Sequence, residues 1–173
     1  IGLGKYIYSL GKSGLWVPSR PVVWPFMLGF LWKIGLGQIF FSRVLEVFFG
    51  SLCILMLYLI GIKISDYKTA ILSSIFLALS PVFFFFNGIM LSEIISTFFA
   101  LAAVYYFTQK KYHVSGLFFG LAFMARFIQL LIFVSFVIAL SINLKKNSKI
   151  IKKSIYGFFI PTIPFLILNQ VLY

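Results

Sequence analysis

The stretch VSGLFFGLAFMARFIQLLIFVSFVIALSIN, residues 114–143, carries one charged side chain, Arg126, near its middle. As one straight helix it would be about 45 Å long at the helical rise per residue. That exceeds the ~30 Å hydrocarbon core of a bilayer. It would also put two basic clusters on opposite membrane faces: Lys110 and Lys111 before it, and Lys145, Lys146, Lys149, Lys152 and Lys153 after it. Basic loops collect on the cytoplasmic face, so an even number of crossings should separate the two clusters. A hairpin with its apex near Arg126 meets both conditions. Its first arm, residues 114–125, is short and should be shielded by neighbouring helices rather than by lipid.

Composition extends the membrane reading to the whole chain. Of 173 residues, 62% are hydrophobic and 10% charged, with a mean hydropathy of +1.08. That is too little polar surface to cover a soluble globule. Residues 69–89 carry no charge and include the run Phe83, Phe84, Phe85, Phe86. Six apolar segments are expected: 40–62, 69–86, 91–107, the two arms of 114–143, and 155–173, the last interrupted by Pro161 and Pro164. The fold expected is an all-α polytopic transmembrane bundle over 39–173. Residues 1–38 are read as an outer-face loop with helices lying in the interface. The Lys63, Lys110 and Lys145 loops are then cytoplasmic, and the Asn87-Gly88 turn and Arg126 lie outside.

The formal charge of +12 comes from lysines and arginines set mostly between apolar runs, so anionic headgroups, not nucleic acid, are the expected partner. No cleavable signal peptide is visible. The single cysteine, Cys53, allows no internal disulfide and no multi-cysteine metal site. Ile1 is not Met and Tyr173 ends inside an apolar run, so the chain is expected to be a piece of a larger one.

Three acidic residues are present: Glu46, Asp66 and Glu93. Asp66 is placed to cap the helix after the Lys63 loop. Glu93 opens the third segment. It is either a functional carboxylate at the membrane boundary or a helix N-terminal charge with Ser92 as cap. Arg43 and Glu46, three apart on one helix, are expected to neutralise each other. Arg126 has no acid near it in sequence. Its permanent charge calls for an anion: a headgroup, Glu93 or a substrate phosphate. His113, beside Lys111, reads as an interfacial residue, since no second metal ligand lies near it.

Read in order, the chain shows Arg20-Pro21 with Pro25, Phe41-Ser42-Arg43-Val44, Ala78-Leu79-Ser80-Pro81, Met90-Leu91-Ser92-Glu93, then Gly116 and Gly120-Leu121-Ala122 leading to Arg126. Over roughly residues 18–143 this order resembles the membrane part of GT-C glycosyltransferases. That group includes the dolichyl-phosphate-mannose–protein mannosyltransferases and the lipid A aminoarabinose transferases. The resemblance implies a sugar carried on a polyprenyl phosphate, moved to a protein, lipid or glycan acceptor at the extracytoplasmic face of a prokaryotic plasma membrane. Membrane lipids are the other partners. It implies no fixed cofactor and leaves room for a divalent metal. It places Glu93 beside the substrate as a candidate catalytic acid, matches Arg126 to the basic residue that holds the phosphate, and puts Arg20 in a substrate-facing loop. A guanidinium suits a departing phosphate, and a carboxylate can take an acceptor proton. The family's first-loop acid has no counterpart in residues 1–45, so it is expected upstream of Ile1, behind a further apolar span. The 173 residues alone are expected to insert into membranes without transferring sugar. Other classes are a transporter or lipid flippase, and a non-catalytic membrane subunit.

Overall fold

Backbone groups in lipid find no water, so a membrane chain of this composition must satisfy them internally, as helices. The computed structural model describes residues 2–18, 20–142 and 144–172, and nine helices form among them. The expected segment ends Asn143 and Tyr173, and Ile1, lie outside the described residues.

Helix α1 (Gly2–Tyr8) and helix α2 (Val23–Lys33) occupy the N-terminal region. They cross where Gly4 meets Gly29; a Cβ on either would run into the other helix's backbone. Helix α3 (Gln38–Ile64) is long and apolar enough to cross a membrane. It ends at Ser65, and Asp66 caps helix α4 (Tyr67–Leu79) by accepting the Lys68 N–H at 3.2 Å. The Thr69 hydroxyl, with that of Ser65, also donates to Asp66 and holds its carboxyl below the usual carboxylate range. The chain folds back here, and a Cβ on Gly61 would lie 2.8 Å from Ala70 Cα.

The second apolar segment, expected as one helix over 69–86, is broken. Helix α4 stops at Leu79, and helix α5 (Pro81–Asn87) leaves at 59°. Pro81 disfavours helical geometry at the residue before it. Ser80 sits at φ −64°, ψ 120° and caps α5 through its hydroxyl. Helix α6 (Glu93–Thr108) then packs against α3, with the Cys53 thiol 3.6 Å from the Ile94 carbonyl and the Phe49 and Phe98 rings 5.2 Å apart.

The hairpin is present. Helix α7 (Tyr112–Ala125) and helix α8 (Gln129–Ser141) are separated by residues 126–128. Phe119 meets Phe133 at 5.4 Å and Phe136 at 5.0 Å between ring centroids. In one straight helix Phe119 and Phe136 would stand about 25 Å apart. The Phe136 ring also packs 4.8 Å from Phe107, so α8 returns to the end where α6 finishes.

Helix α9 (Leu144–Leu172) departs from expectation twice. Lysines 145–153, read as a loop, lie within it, because lysine is a good helix former and no breaker intervenes. Pro161 and Pro164 sit inside the helix without interrupting it. The side-chain-free face of α7 makes room: a Cβ on Gly120 would meet Pro161 Cγ at 2.6 Å and the Phe158 carbonyl at 2.6 Å. Nearby, the Thr162 hydroxyl donates to the same Phe158 carbonyl at 3.0 Å. Helices α7 and α9 run parallel along a glycine seam, where a Cβ on Gly116 would strike the Ser154 carbonyl and one on Gly157 the His113 carbonyl. Small residues of this kind let helix backbones close up where lipid offers no hydrophobic drive.

The core is narrow, and the outward faces of α3, α4, α8 and α9 are apolar and exposed, as lipid-facing surfaces are. The molecule is a helical membrane bundle. Lys63, Lys110 and Lys149–Lys153 gather at one end. Arg126 and the α1–α2 cap lie at the other, where the Asn169 amide donates to the Pro18 carbonyl at 3.2 Å.

Two outcomes are expected. Gly116→Val and Gly157→Val each overpack the seam at a cost of about 1–3 kcal/mol. Both should lower the melting temperature in detergent, while Gly37→Ala, whose new methyl meets nothing within 4 Å, should not. Cysteines placed at the exposed positions Leu10 and Lys110 should react with an impermeant reagent from opposite sides of a membrane; labelling of both from one side would contradict an odd number of crossings between them.

Candidate functional site

A break in a lipid-embedded helix frees polar backbone and must be buried in protein or line a cavity. Three breaks meet in this chain: Ser80-Pro81, residues 88–92, and residues 126–128. Arg126, just past the end of α7, is extended at φ −153°, ψ 122°, and its N–H still bonds the Ala122 carbonyl at 2.9 Å. Its guanidinium Nη1 lies 3.0 Å from Glu93 Oε1, the ion pair found among the described residues. Glu93 is the first residue of α6, where the helix dipole favours a negative charge. Ser92 is the N-cap residue but makes no side-chain hydrogen bond, so of the capping alternative the helix N-terminal charge forms and the Ser92 side-chain cap does not. The second Glu93 oxygen, Oε2, has no hydrogen-bond partner among the described residues.

The pair lines a recess of about 350 Å³. Leu77 and Ser80 of the α4 end, Val82, Phe83 and Phe86 of α5, Ile94, Ser96 and Thr97 of α6, and Gln129 of α8 complete its walls. A larger cavity of about 740 Å³ lies against the same α6 and α7 helices. It runs between the cap (Tyr6, Trp16, Phe26 and Met27 among others) and Leu121, Met124, Pro161, Pro164, Phe165 and Leu168, and is almost wholly apolar.

Glu93 is recessed within the bundle, its side chain 22% exposed. The 87–91 turn rests on one stripe of α3. Ser42 Oγ lies 2.8 Å from Met90 Sδ, Glu46 Oε1 accepts the Leu91 N–H at 2.8 Å, and a Cβ on Gly50 would sit 2.5 Å from the Asn87 amide. Glu46 and Gly50 lie about 12–18 Å along α3 from its start. The early stop of α4 at Pro81 brings the chain across at this depth.

The expected Arg43–Glu46 pair does not form within 4 Å among the described residues. Arg43 is exposed on the outer face of α3, while Glu46 is turned inward, 2% exposed, toward the Leu91 amide. Arg20 is exposed before α2, apart from the Glu93–Arg126 pair and from both cavities. His113 is exposed at the start of α7, and Cys53 is buried in the core. Gln129 and Ser96 were not singled out from sequence, although a lone amide three residues after Arg126 in an apolar run is a detectable signal. Among the described residues no three His, Cys, Asp or Glu side chains cluster. Glu93 is the carboxylate that lines the recess.

The family model of the dolichyl-phosphate-mannose-protein mannosyltransferases matches residues 19–169. The chain belongs to this family, and with it to the membrane glycosyltransferases of GT-C type. Comparison with curated proteins and with solved structures found no match.

The stripe on α3 makes a further expectation. Glu46→Leu leaves the Leu91 N–H unsatisfied and should cost about 1–3 kcal/mol, read as a lower melting temperature. Glu46→Gln keeps a carbonyl acceptor at the same place and should lie much closer to the parent protein.

Proposed function

From that membership we propose that the chain acts on a sugar carried by a polyprenyl phosphate and serves its transfer to a hydroxyl or amine acceptor at the extracytoplasmic face. The observation that carries this reading is the Arg126–Glu93 pair, set in a recess beside a large apolar cavity. A polyprenyl phosphate has one anionic group on a long hydrocarbon tail. Arg126, half-exposed, offers the anion a charged, forked donor. The apolar cavity against α7 suits the first prenyl units. The lysine clusters at the other end of the bundle favour the cytoplasm there, which supports an extracytoplasmic side for Arg126.

In the transfer, negative charge grows on the departing phosphate. A guanidinium already in place, in a low dielectric, stabilises that charge without reorganising. Before substrate binds, Glu93 neutralises Arg126 and keeps the recess from holding a bare cation. With phosphate bound, the guanidinium can serve both anions through its several N–H groups. Glu93 Oε2 is then free to accept a hydroxyl proton from sugar or acceptor. Arg20, on the segment leading into α2, supplies a second positive charge near the cap.

Binding tests the reading. In lipid nanodiscs the protein should bind undecaprenyl phosphate and ignore uncharged undecaprenol. Arg126→Ala should weaken the phosphate lipid about tenfold or more, and Arg126→Lys should recover part of that, since charge remains but the fork does not. Equal binding of the two lipids, or an Arg126→Ala variant that binds as the parent does, overturns it. Flip-flop of a labelled lipid in proteoliposomes, without preference for the phosphate, would favour a transporter.

A further inference from the structure

The Ser96 hydroxyl has one proton, and it donates that proton to the Glu93 carbonyl at 2.9 Å. At its 3.3 Å contact with Gln129 it can therefore only accept. This fixes which way the Gln129 amide points: its NH₂ group faces Ser96, and its Oε1 faces away. That oxygen has no donor, and the side chain is nine-tenths buried. Glu93 Oε2 is likewise a buried atom with no donor among the described residues, on a side chain that is 22% exposed. Both residues line the 350 Å³ recess that also holds Arg126. A buried acceptor without a donor is costly, and a pair of them beside one cavity calls for a group that brings hydrogen-bond donors.

The recess therefore has two unfilled acceptors and one guanidinium. Two acceptors repel a bare anion, so the side of the recess lined by Gln129 and Glu93 does not suit the phosphate itself, which is left to the exposed side of Arg126. The lined side suits a neutral, hydroxyl-bearing group attached to that phosphate. We propose that Gln129, locked by Ser96, accepts a hydroxyl of the sugar on the lipid donor, with Glu93 Oε2 accepting a second. Gln129 thus sets which sugar is taken, while Arg126 holds the phosphate whatever it carries. The proposal rests on the assignment of Arg126 to the lipid phosphate, and the test separates the two.

The test measures binding of undecaprenyl phosphate, bare or linked to mannose, glucose or galactose, to the protein in nanodiscs. The sugar that most improves binding to the parent protein is used for the variants. Gln129→Met replaces the amide with an unbranched apolar chain of similar length. It should weaken the sugar-bearing lipid about three- to tenfold and leave the bare lipid unchanged, which also shows that the variant is folded. Ser96→Ala, which frees the amide to turn, should give a smaller loss in the same direction. Equal loss for both lipids, or no loss for either, overturns the role of Gln129. A parent protein that binds the bare lipid but gains nothing from any of the three sugars overturns this inference and leaves Arg126 standing. A parent protein that binds neither lipid removes the reading it rests on, and this inference with it.

Discussion

Hydrocarbon cannot hydrogen-bond a peptide group, and that constraint organises this molecule. Every place where a helix stops inside the membrane must be covered by protein or open onto a polar cavity. The chain stops its helices at Pro81, at residues 88–92 and at Arg126, and it gathers all three stops around one recess. The polar groups released there are shared. Ser80 caps α5, Glu46 takes the Leu91 amide, and Ser96 takes the Gln129 amide. What remains unfilled is a small set of acceptors beside one guanidinium. The same defect that would destabilise an isolated span is the surface proposed to take the lipid-linked sugar.

The Arg126–Glu93 pair stays in place because neither partner is tolerable alone at that depth. A permanent charge in a low-dielectric region requires a counter-charge. Glu93 is held by the N-terminus of α6 and, one step back, by the α3 stripe of Ser42, Glu46 and Gly50 under the 87–91 turn. That stripe gives Glu46 a positional role. It reaches the pair only through backbone, so its effect is on where Glu93 begins.

The far side of the site is set by packing rather than charge. The glycine seam draws α9 against α7 and leaves Pro161 and Pro164 facing the large apolar cavity. Helices α1 and α2 close that cavity from the end, with Trp24, Leu28 and Leu31 buried against Ile95 and Ala125. Helices α1 and α2 thus contribute a docked cap, and α2 is part of the core.

Much of the architecture was legible in the chain itself. Apolar runs, lysine clusters and the parity between them determine a helical membrane bundle and a hairpin at Arg126, because hydrocarbon thickness and charge placement act on sequence directly. Asp66 was legible as a cap because its partners lie within three residues. Depth and partnership were not. Arg43 and Glu46 have a spacing that permits contact, yet their side chains diverge, since Leu91 offers Glu46 a buried N–H from 45 residues away. Pro161 and Pro164 look like a helix end until Gly120 is seen across the seam. Gln129 is one polar residue in an apolar run until Ser96, 33 residues earlier, fixes its amide. Sequence alone determined what must be helical and which residues lipid would refuse. Only the tertiary structure decided which of those residues meet, because such pairs are set by where helices stop and touch, and those contacts join residues far apart in the chain.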